Sequence, residues 1–212
     1  NQPDAATGAV AAPIHLATTF GHGAAGERLA GYEYQREGNP TNDRLREALA
    51  ALEGGATACT FASGMAAITY AIQTIAEAGD NIVSAATLYG GTYNLFAHTF
   101  PQLGLNARFA DHRDPQSFEP LIDARTKAIF CESIGNPLGN VTDFARLAEI
   151  AHRHGIPLIV DNTVPSPFLC RPFEHGADIV VHALTKYLGG HGNSLGGAIV
   201  DSGKFPWAQH RA

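Results

Sequence analysis

The sequence predicts an α/β fold: one mostly parallel central sheet with helices on both faces. Two observations carry this expectation. Short apolar runs such as "KAIFCES", "IPLIVDN" and "ADIVVHAL" are continuous rather than alternating, as in strands covered on both sides. Between such runs lie segments with helical patterning, so the order is strand, helix, strand. The length of 212 residues and the 45% hydrophobic content leave room for one large core.

Up to residue 38 the chain is Gly/Ala-rich without clear period and reads as an extended arm; residues 39–212 form the sheet-bearing domain. In "NPTNDRLREALAALEGG", Leu45, Leu49 and Leu52 recur at spacings of four and three, which predicts an amphipathic helix with one apolar face. A Pro opens it and Gly54-Gly55 closes it. "ATACTF" then reads as a strand, "SGMAAITYAIQTIAEAG" as a helix and "DNIVSAA" as a strand. A helix through "TYNLFAHTFPQLG", a strand "LNARFA" and a helix "DPQSFEPLID" follow. The strand "KAIFCES" precedes the helix "TDFARLAEIAHRHG", with an Asp near its start and a Gly after its end. "IPLIVDN", "ADIVVHAL" and "SLGGAIVDSG" complete the strands.

Several classes of function fall away. The net charge of −6 comes with no basic run, so a nucleic-acid partner is not expected. No apolar stretch approaches the ~18 residues of a membrane span, and the start lacks the pattern of a signal peptide. The absence of an initiator Met implies that the numbering begins inside a longer gene product. Three scattered cysteines, Cys59, Cys131 and Cys170, make neither a disulfide framework nor a zinc site. Cys59 and Cys131 lie in apolar strands and read as buried, inert thiols in a reducing cytoplasm. His152 and His154, two apart on a helix, diverge and cannot share a metal; they suit the helix C-terminal dipole. No metal site is expected.

In a parallel sheet, ligands bind beyond the carboxyl ends of the strands, and the residues there form a pattern. Ser63-Gly64-Met65 opens a helix directly after a strand, where free N–H groups suit a phosphate; taken alone, the stretch reads rather as an ordinary N-cap serine before a tight glycine turn. Tyr89 precedes two glycines and presents a ring, or marks a simple turn. "CESIGNP" ends a strand with Glu132, Ser133 and Asn136, and Asn136 either reaches a ligand oxygen or makes an Asn-Pro turn. Asp161 ends a wholly apolar strand, where a carboxylate needs a cationic partner, from a ligand or from the protein. Lys186, one of three lysines, leaves the last apolar run among neutral residues; burial there would depress its pKa and free an amine for Schiff-base chemistry. Lys127 and Lys204 read as surface lysines, and His182 and His191 flank Lys186 as either supporting or core residues. An aldehyde that also carries a phosphate, a ring hydroxyl and a basic ring nitrogen needs this set, and pyridoxal 5′-phosphate has all of them.

The motifs "YQREGNPT", "FASGMAAI", "YGGTYNL", "ESIGNP", "VDNT" and "LTKYLGGHG" occur in the order and approximate spacing of a known family. From about residue 12 onward the chain resembles the Cys/Met-metabolism family of pyridoxal-phosphate enzymes, with the aspartate-aminotransferase-like (fold type I) large domain. "GGHGNSLGGAIVDSGKF" is most similar to its O-acetylhomoserine sulfhydrylase branch. The resemblance implies that Lys186 carries the cofactor as a Schiff base and also moves the substrate α-proton. Asp161 would pair with the ring nitrogen, Tyr89 would stack on the ring, and Asn136 would touch its hydroxyl. Ser63, Gly64, Met65, Thr163 and Thr185 complete the cofactor set, and Tyr34 and Arg36 would reach the phosphate in a neighbouring subunit. That implies a homo-oligomer, usually a dimer of dimers, with a small amino acid and sulfide or a thiol as partners.

The implied reaction is γ-replacement at O-acetyl-L-homoserine, giving homocysteine or methionine and acetate. Methionine or cystathionine γ-lyase-type elimination shares the same residues, and a fragment that keeps the fold without turnover is a third alternative. Two departures accompany the resemblance. Ala183 stands where relatives often have a phosphate-binding Ser. Family chains are about twice this length, with a C-terminal small domain that carries the Arg for the substrate carboxylate.

Overall fold

The computed structural model describes residues 3–210, which divide into two compact units, one up to Ala48 and one from Leu49 onward. In the first unit, isolated bridges join Thr19 to Tyr34 and His22 to Arg28. The His15 N–H donates to Thr41 Oγ1 at 2.8 Å, and the Tyr32 hydroxyl donates to Asp43 Oδ2 at 2.9 Å. Helix α1 covers Pro40–Glu53. Its expected leucine stripe is only partly realised, because Leu49 is buried while Leu45 and Leu52 are exposed. Leu49, Ala50 and Glu53 are the positions it buries.

The second unit is built on a seven-stranded sheet. Its strands are β1 (Thr57–Phe61), β2 (Asn81–Ala85), β3 (Asn106–Ala110), β4 (Thr126–Glu132), β5 (Leu158–Asp161), β6 (Ile179–Ala183) and β7 (Gly197–Asp201). They lie in the order β1-β7-β6-β5-β4-β2-β3. Only β7 runs antiparallel, to both β1 and β6; the remaining pairs are parallel. The α/β class with a mostly parallel sheet is therefore as the sequence predicts.

Side-chain alternation assigns each strand residue to one of two cores. Ile129, Cys131, Leu158, Val160, Val180, Ala198 and Val200 face one core, with Leu49 and Ala50 of α1 and with α5 (Phe144–Arg153). Ala128, Phe130, Ile159, Val181 and the partly buried Ile199 face the other. There they meet α2 (Gly64–Gln73) and the helical stretch formed by α3 (Gly90–Asn94), a π-turn over Leu95–Thr99 and α4 (Phe100–Gln102). With both faces covered, the central strands β4, β5 and β6 need no polar side, which accounts for their unbroken apolar runs.

Caps delimit the helices. Ser63 Oγ accepts from the Ala66 N–H at 3.1 Å, and Asp143 Oδ1 accepts from the Arg146 N–H at 3.1 Å. Gly155, with φ +67°, follows the end of α5 in a conformation that glycine adopts at little cost. The segment "DPQSFEPLID" is not a helix but two 3₁₀ turns, Pro115–Ser117 and Glu119–Leu121. Pro115 and Pro120 each remove an N–H, so a continuous α-ladder cannot form across them. The short helix α6 (Ser166–Leu169) and the 3₁₀ turns at Pro172–His175 and Trp207–Gln209 gave no signal in the sequence.

Two side-chain expectations are corrected. Cys59 is exposed, because β1 is an edge strand paired only with β7; Cys131 is buried as expected. Lys127 is nearly buried and lies 3.7 Å from the carboxylate of Asp80. His152 and His154 stand at the C-terminal end of α5 and also engage acids, their Nε2 atoms lying 2.8 Å from Asp178 and 3.2 Å from Glu119. No helix among the described residues is long and apolar enough to cross a membrane.

Candidate active site

The parallel strands and β1 end on one side of the sheet, and a cleft of about 600 Å³ opens there. Ser63, Gly64, Met65, Tyr89, Glu132, Asn136, Asp161, Thr163, Thr185 and Lys186 line it. A cleft of this size suits a cofactor-sized ligand. Tyr34 and Arg36 lie in the first unit, where the Arg36 guanidinium stands over the Tyr34 ring at 4.8 Å from its centroid.

At one wall, α2 begins immediately beyond β1. The N–H groups of Gly64 and Met65 belong to its first turn and have no intrahelical acceptor. Glycine at 64 lets this turn approach β6 closely, since a Cβ there would lie 2.6 Å from Ala183 Cβ. Gly197, at the start of β7, is tighter still: a Cβ would sit 2.0 Å from the Ser63 carbonyl oxygen. Two glycines, on α2 and on β7, therefore set the height of the helix terminus over the strand ends.

Asp161 is partly buried at the floor of the cleft. Its Oδ1 accepts from both the Thr163 N–H and the Thr163 hydroxyl. The Thr163 oxygen in turn accepts from the Ala183 N–H at 2.8 Å. Asp161, Thr163 and the end of β6 thus form one rigid chain leading toward Lys186. Burial holds the Asp161 carboxyl above the usual carboxylate range, against the Thr163 donors and the neighbouring His182. A cationic group in the cleft would relieve that penalty.

Lys186 is not buried. It sits on the turn that leaves β6, with its N–H bonded to the Ala183 carbonyl at 3.1 Å, and its side chain is exposed at the cleft. The apolar neighbours that suggested burial point elsewhere, Leu184 and Leu188 packing onto a core. Tyr89 is half exposed, and its ring lies against Gly91. Asn136 is exposed at the rim, in a cis peptide with Pro137.

Behind the cleft runs a buried polar chain that the sequence did not reveal. Ser133 Oγ donates to Asn162 Oδ1 at 2.7 Å, and Asn162 Nδ2 donates to Glu53 Oε1 at 2.9 Å. His182 Nε2 lies 2.5 Å from the same Glu53 oxygen, and both of those side chains are wholly inaccessible. His182 is therefore a bonded core residue, while His191 is exposed and bonded to the Gly189 carbonyl. Glu132, named at its strand end, was the other residue left without a role. It ends an apolar strand as Asp161 does, the same signal that singled out the aspartate, and the register places the two side by side.

Taken together, the residues present fit a phosphate-bearing aldehyde with a basic ring. A helix terminus offers N–H donors, a buried carboxylate awaits a cation, an aromatic ring offers a face, and a lysine amine reaches the same space.

Comparison with known proteins agrees. The model of the family described as Cys/Met metabolism PLP-dependent enzyme matches residues 1–212. A homocysteine/cysteine synthase of Saccharomyces cerevisiae is 50% identical over 99% of this chain and 49% of its own length. An O-acetyl-L-homoserine sulfhydrylase of Leptospira meyeri is 46% identical over 97% of this chain and 48% of its own. The chain thus spans about half the length of the curated relatives it matches. Among solved structures, a Campylobacter jejuni protein described as an O-acetylhomoserine (thiol)-lyase superposes with a TM-score of 0.91 at 40% identity. That alignment covers 97% of this chain and 52% of the other, which carries N′-pyridoxyl-lysine-5′-monophosphate. A cystathionine gamma-lyase of Lactobacillus plantarum gives 0.90 at 39% identity, over 95% of this chain and 52% of its own. The chain belongs to the Cys/Met metabolism family of PLP-dependent enzymes.

Proposed function

We propose that this chain is the cofactor-binding part of an enzyme that replaces the γ-substituent of O-acetyl-L-homoserine with sulfide or a thiol. The products are homocysteine or methionine, with acetate. The convergence of Lys186, Asp161, Tyr89 and the α2 terminus on one cleft carries this reading, together with relatives named for that reaction. Bound pyridoxal phosphate supplies an electron sink for the carbon atoms of the amino acid.

The chain's own residues then divide the work. The Gly64 and Met65 N–H groups and the Thr185 hydroxyl bind the phosphate, and Ser63 orders that turn. Tyr89 covers the ring face, Asn136 meets the ring hydroxyl, and Asp161, oriented by Thr163, holds the positive ring nitrogen. The Lys186 amine would hold the cofactor and would also take the substrate α-proton. We further infer that residues 1–38 serve as an arm, that 39–212 form the cofactor domain, and that the protein is a cytoplasmic dimer of dimers. In that assembly Tyr34 and Arg36 serve a neighbouring subunit's phosphate.

The structural likeness to a cystathionine gamma-lyase supports a second reading, elimination without replacement. Product analysis of the protein containing this chain separates the two. Homocysteine and acetate from O-acetyl-L-homoserine and sulfide are expected; α-ketobutyrate and ammonia as the only products, from either O-acetyl-L-homoserine or methionine, would overturn the proposal. The 212-residue chain by itself is expected to capture pyridoxal phosphate with a visible absorption band but not to turn over. Persistence of that band in Lys186→Ala would remove Lys186 from its assigned role.

A further inference from the structure

Glu132 has no part in the chemistry described so far, yet it occupies the centre of the site. It is 6% exposed at the carboxyl end of β4. Its Oε1 accepts from the Tyr89 N–H at 2.6 Å, and the Asn136 N–H also bonds to its carboxylate. Tyr89 follows β2, and β2 and β4 are neighbours from which the chain continues in opposite directions, toward β3 and toward β5. The Glu132–Tyr89 bond therefore crosses the crevice where such a sheet switches direction, the place where ligands bind.

Tyr89 depends on this bond. It is the N-cap of α3, so its N–H has no intrahelical acceptor, and its side chain makes no capping bond. Its ring is half exposed and rests against the small face of Gly91, where a Cβ would come within 2.6 Å of the ring. The ring is thus held by contact with Gly91, and Tyr89 lines the cleft. The backbone that aims it is held by the carboxylate of Glu132.

We propose that Glu132 is the positioning residue for Tyr89, anchoring its backbone N–H across the β2–β4 crevice and so fixing the plane in which the ring meets the cofactor. The inference rests on the role given to Tyr89 above. It assigns Glu132 no contact with substrate and no proton transfer.

The test pairs a local readout with a binding readout in the whole chain. Hydrogen exchange at the Tyr89 amide is measured without cofactor, and affinity for pyridoxal phosphate is measured by titration. The wild-type Tyr89 amide is expected to be protected, although it caps a short helix. Glu132→Ala and the volume-matched Glu132→Met remove the acceptor. Each is expected to lose that protection and to bind the cofactor about tenfold more weakly, with helical circular dichroism retained. Glu132→Gln keeps a carbonyl oxygen for the same N–H and is expected to stay within about threefold of wild type in both readouts. An unprotected wild-type amide, unchanged protection in Glu132→Met, or a Gln variant as impaired as the Ala variant would overturn the proposal. If the Ala and Met variants lose protection while Tyr89→Ala binds the cofactor normally, the failure lies in the role given to Tyr89, and the inference falls with it.

Discussion

Replacing Glu132 by Gln should stabilise the protein in alkaline solution. Burial, reinforced by the charge of Asp161, pushes the Glu132 pKa up to about 8 from an ordinary 4.5, against the N–H groups of Tyr89 and Asn136. The folded state therefore binds this proton more tightly than the unfolded state does. Its stabilising contribution is complete below pH 4.5 and is lost as the pH rises from there to about 8. Integrated over that window, the loss is under about 1 kcal/mol at pH 5, about 3 kcal/mol at pH 7 and about 5 kcal/mol above pH 9. Gln is neutral throughout and keeps an oxygen for the Tyr89 N–H. Subtracting wild type from variant cancels the other titrating groups, and the repulsion between Glu132 and Asp161 is already contained in the raised Glu132 value. Urea unfolding followed by circular dichroism at pH 5, 7 and 9 measures the difference. It should be near zero at pH 5 and widen to several kcal/mol at pH 9. Curves that stay parallel, or a variant weaker than wild type at pH 9, would refute the reasoning.

Two further perturbations probe the frame of the site. Glu53→Ala leaves the Asn162 amide and His182 Nε2 without their shared acceptor in a fully buried position, and should cost about 3–5 kcal/mol in urea unfolding; a loss below about 1 kcal/mol would show that water replaces the carboxylate. Gly197→Ala places a methyl 2.0 Å from the Ser63 carbonyl oxygen and 2.4 Å from its carbon, both backbone atoms. It should destabilise by at least about 3 kcal/mol and weaken cofactor capture by displacing the start of α2; a melting temperature unchanged from wild type counts against the glycine contact.

Much of the site was legible because strand ends announce themselves. Asp161 stood out since a carboxylate at the end of "IPLIV" has no reason to be there without a cation, and Lys186 stood out as a rare amine after "ADIVV". The cleft contains both. Glu132 carries the same signal after "KAIFC" but drew no role from it, because nothing in the local sequence says which N–H groups will face it. Its partner Tyr89 lies 43 positions away. Glu53 was hidden more deeply. It sits in the last turn of α1, and only the packing of Leu49 and Ala50 into the core brings it to His182, 129 positions later.

Local pattern alone thus determined the order of the strands and of the longer helices between them, the two covered faces of the sheet and the residues at its carboxyl edge. These follow from side-chain period and from the cost of leaving apolar or charged groups in the wrong solvent. Tertiary structure decided the rest: that β7 returns antiparallel between β1 and β6, that Cys59 and Lys186 are exposed, and that Gly64 and Gly197 bring a helix terminus down onto the strand ends. Each depends on which distant backbone arrives beside the residue, a quantity that no run of neighbouring letters contains.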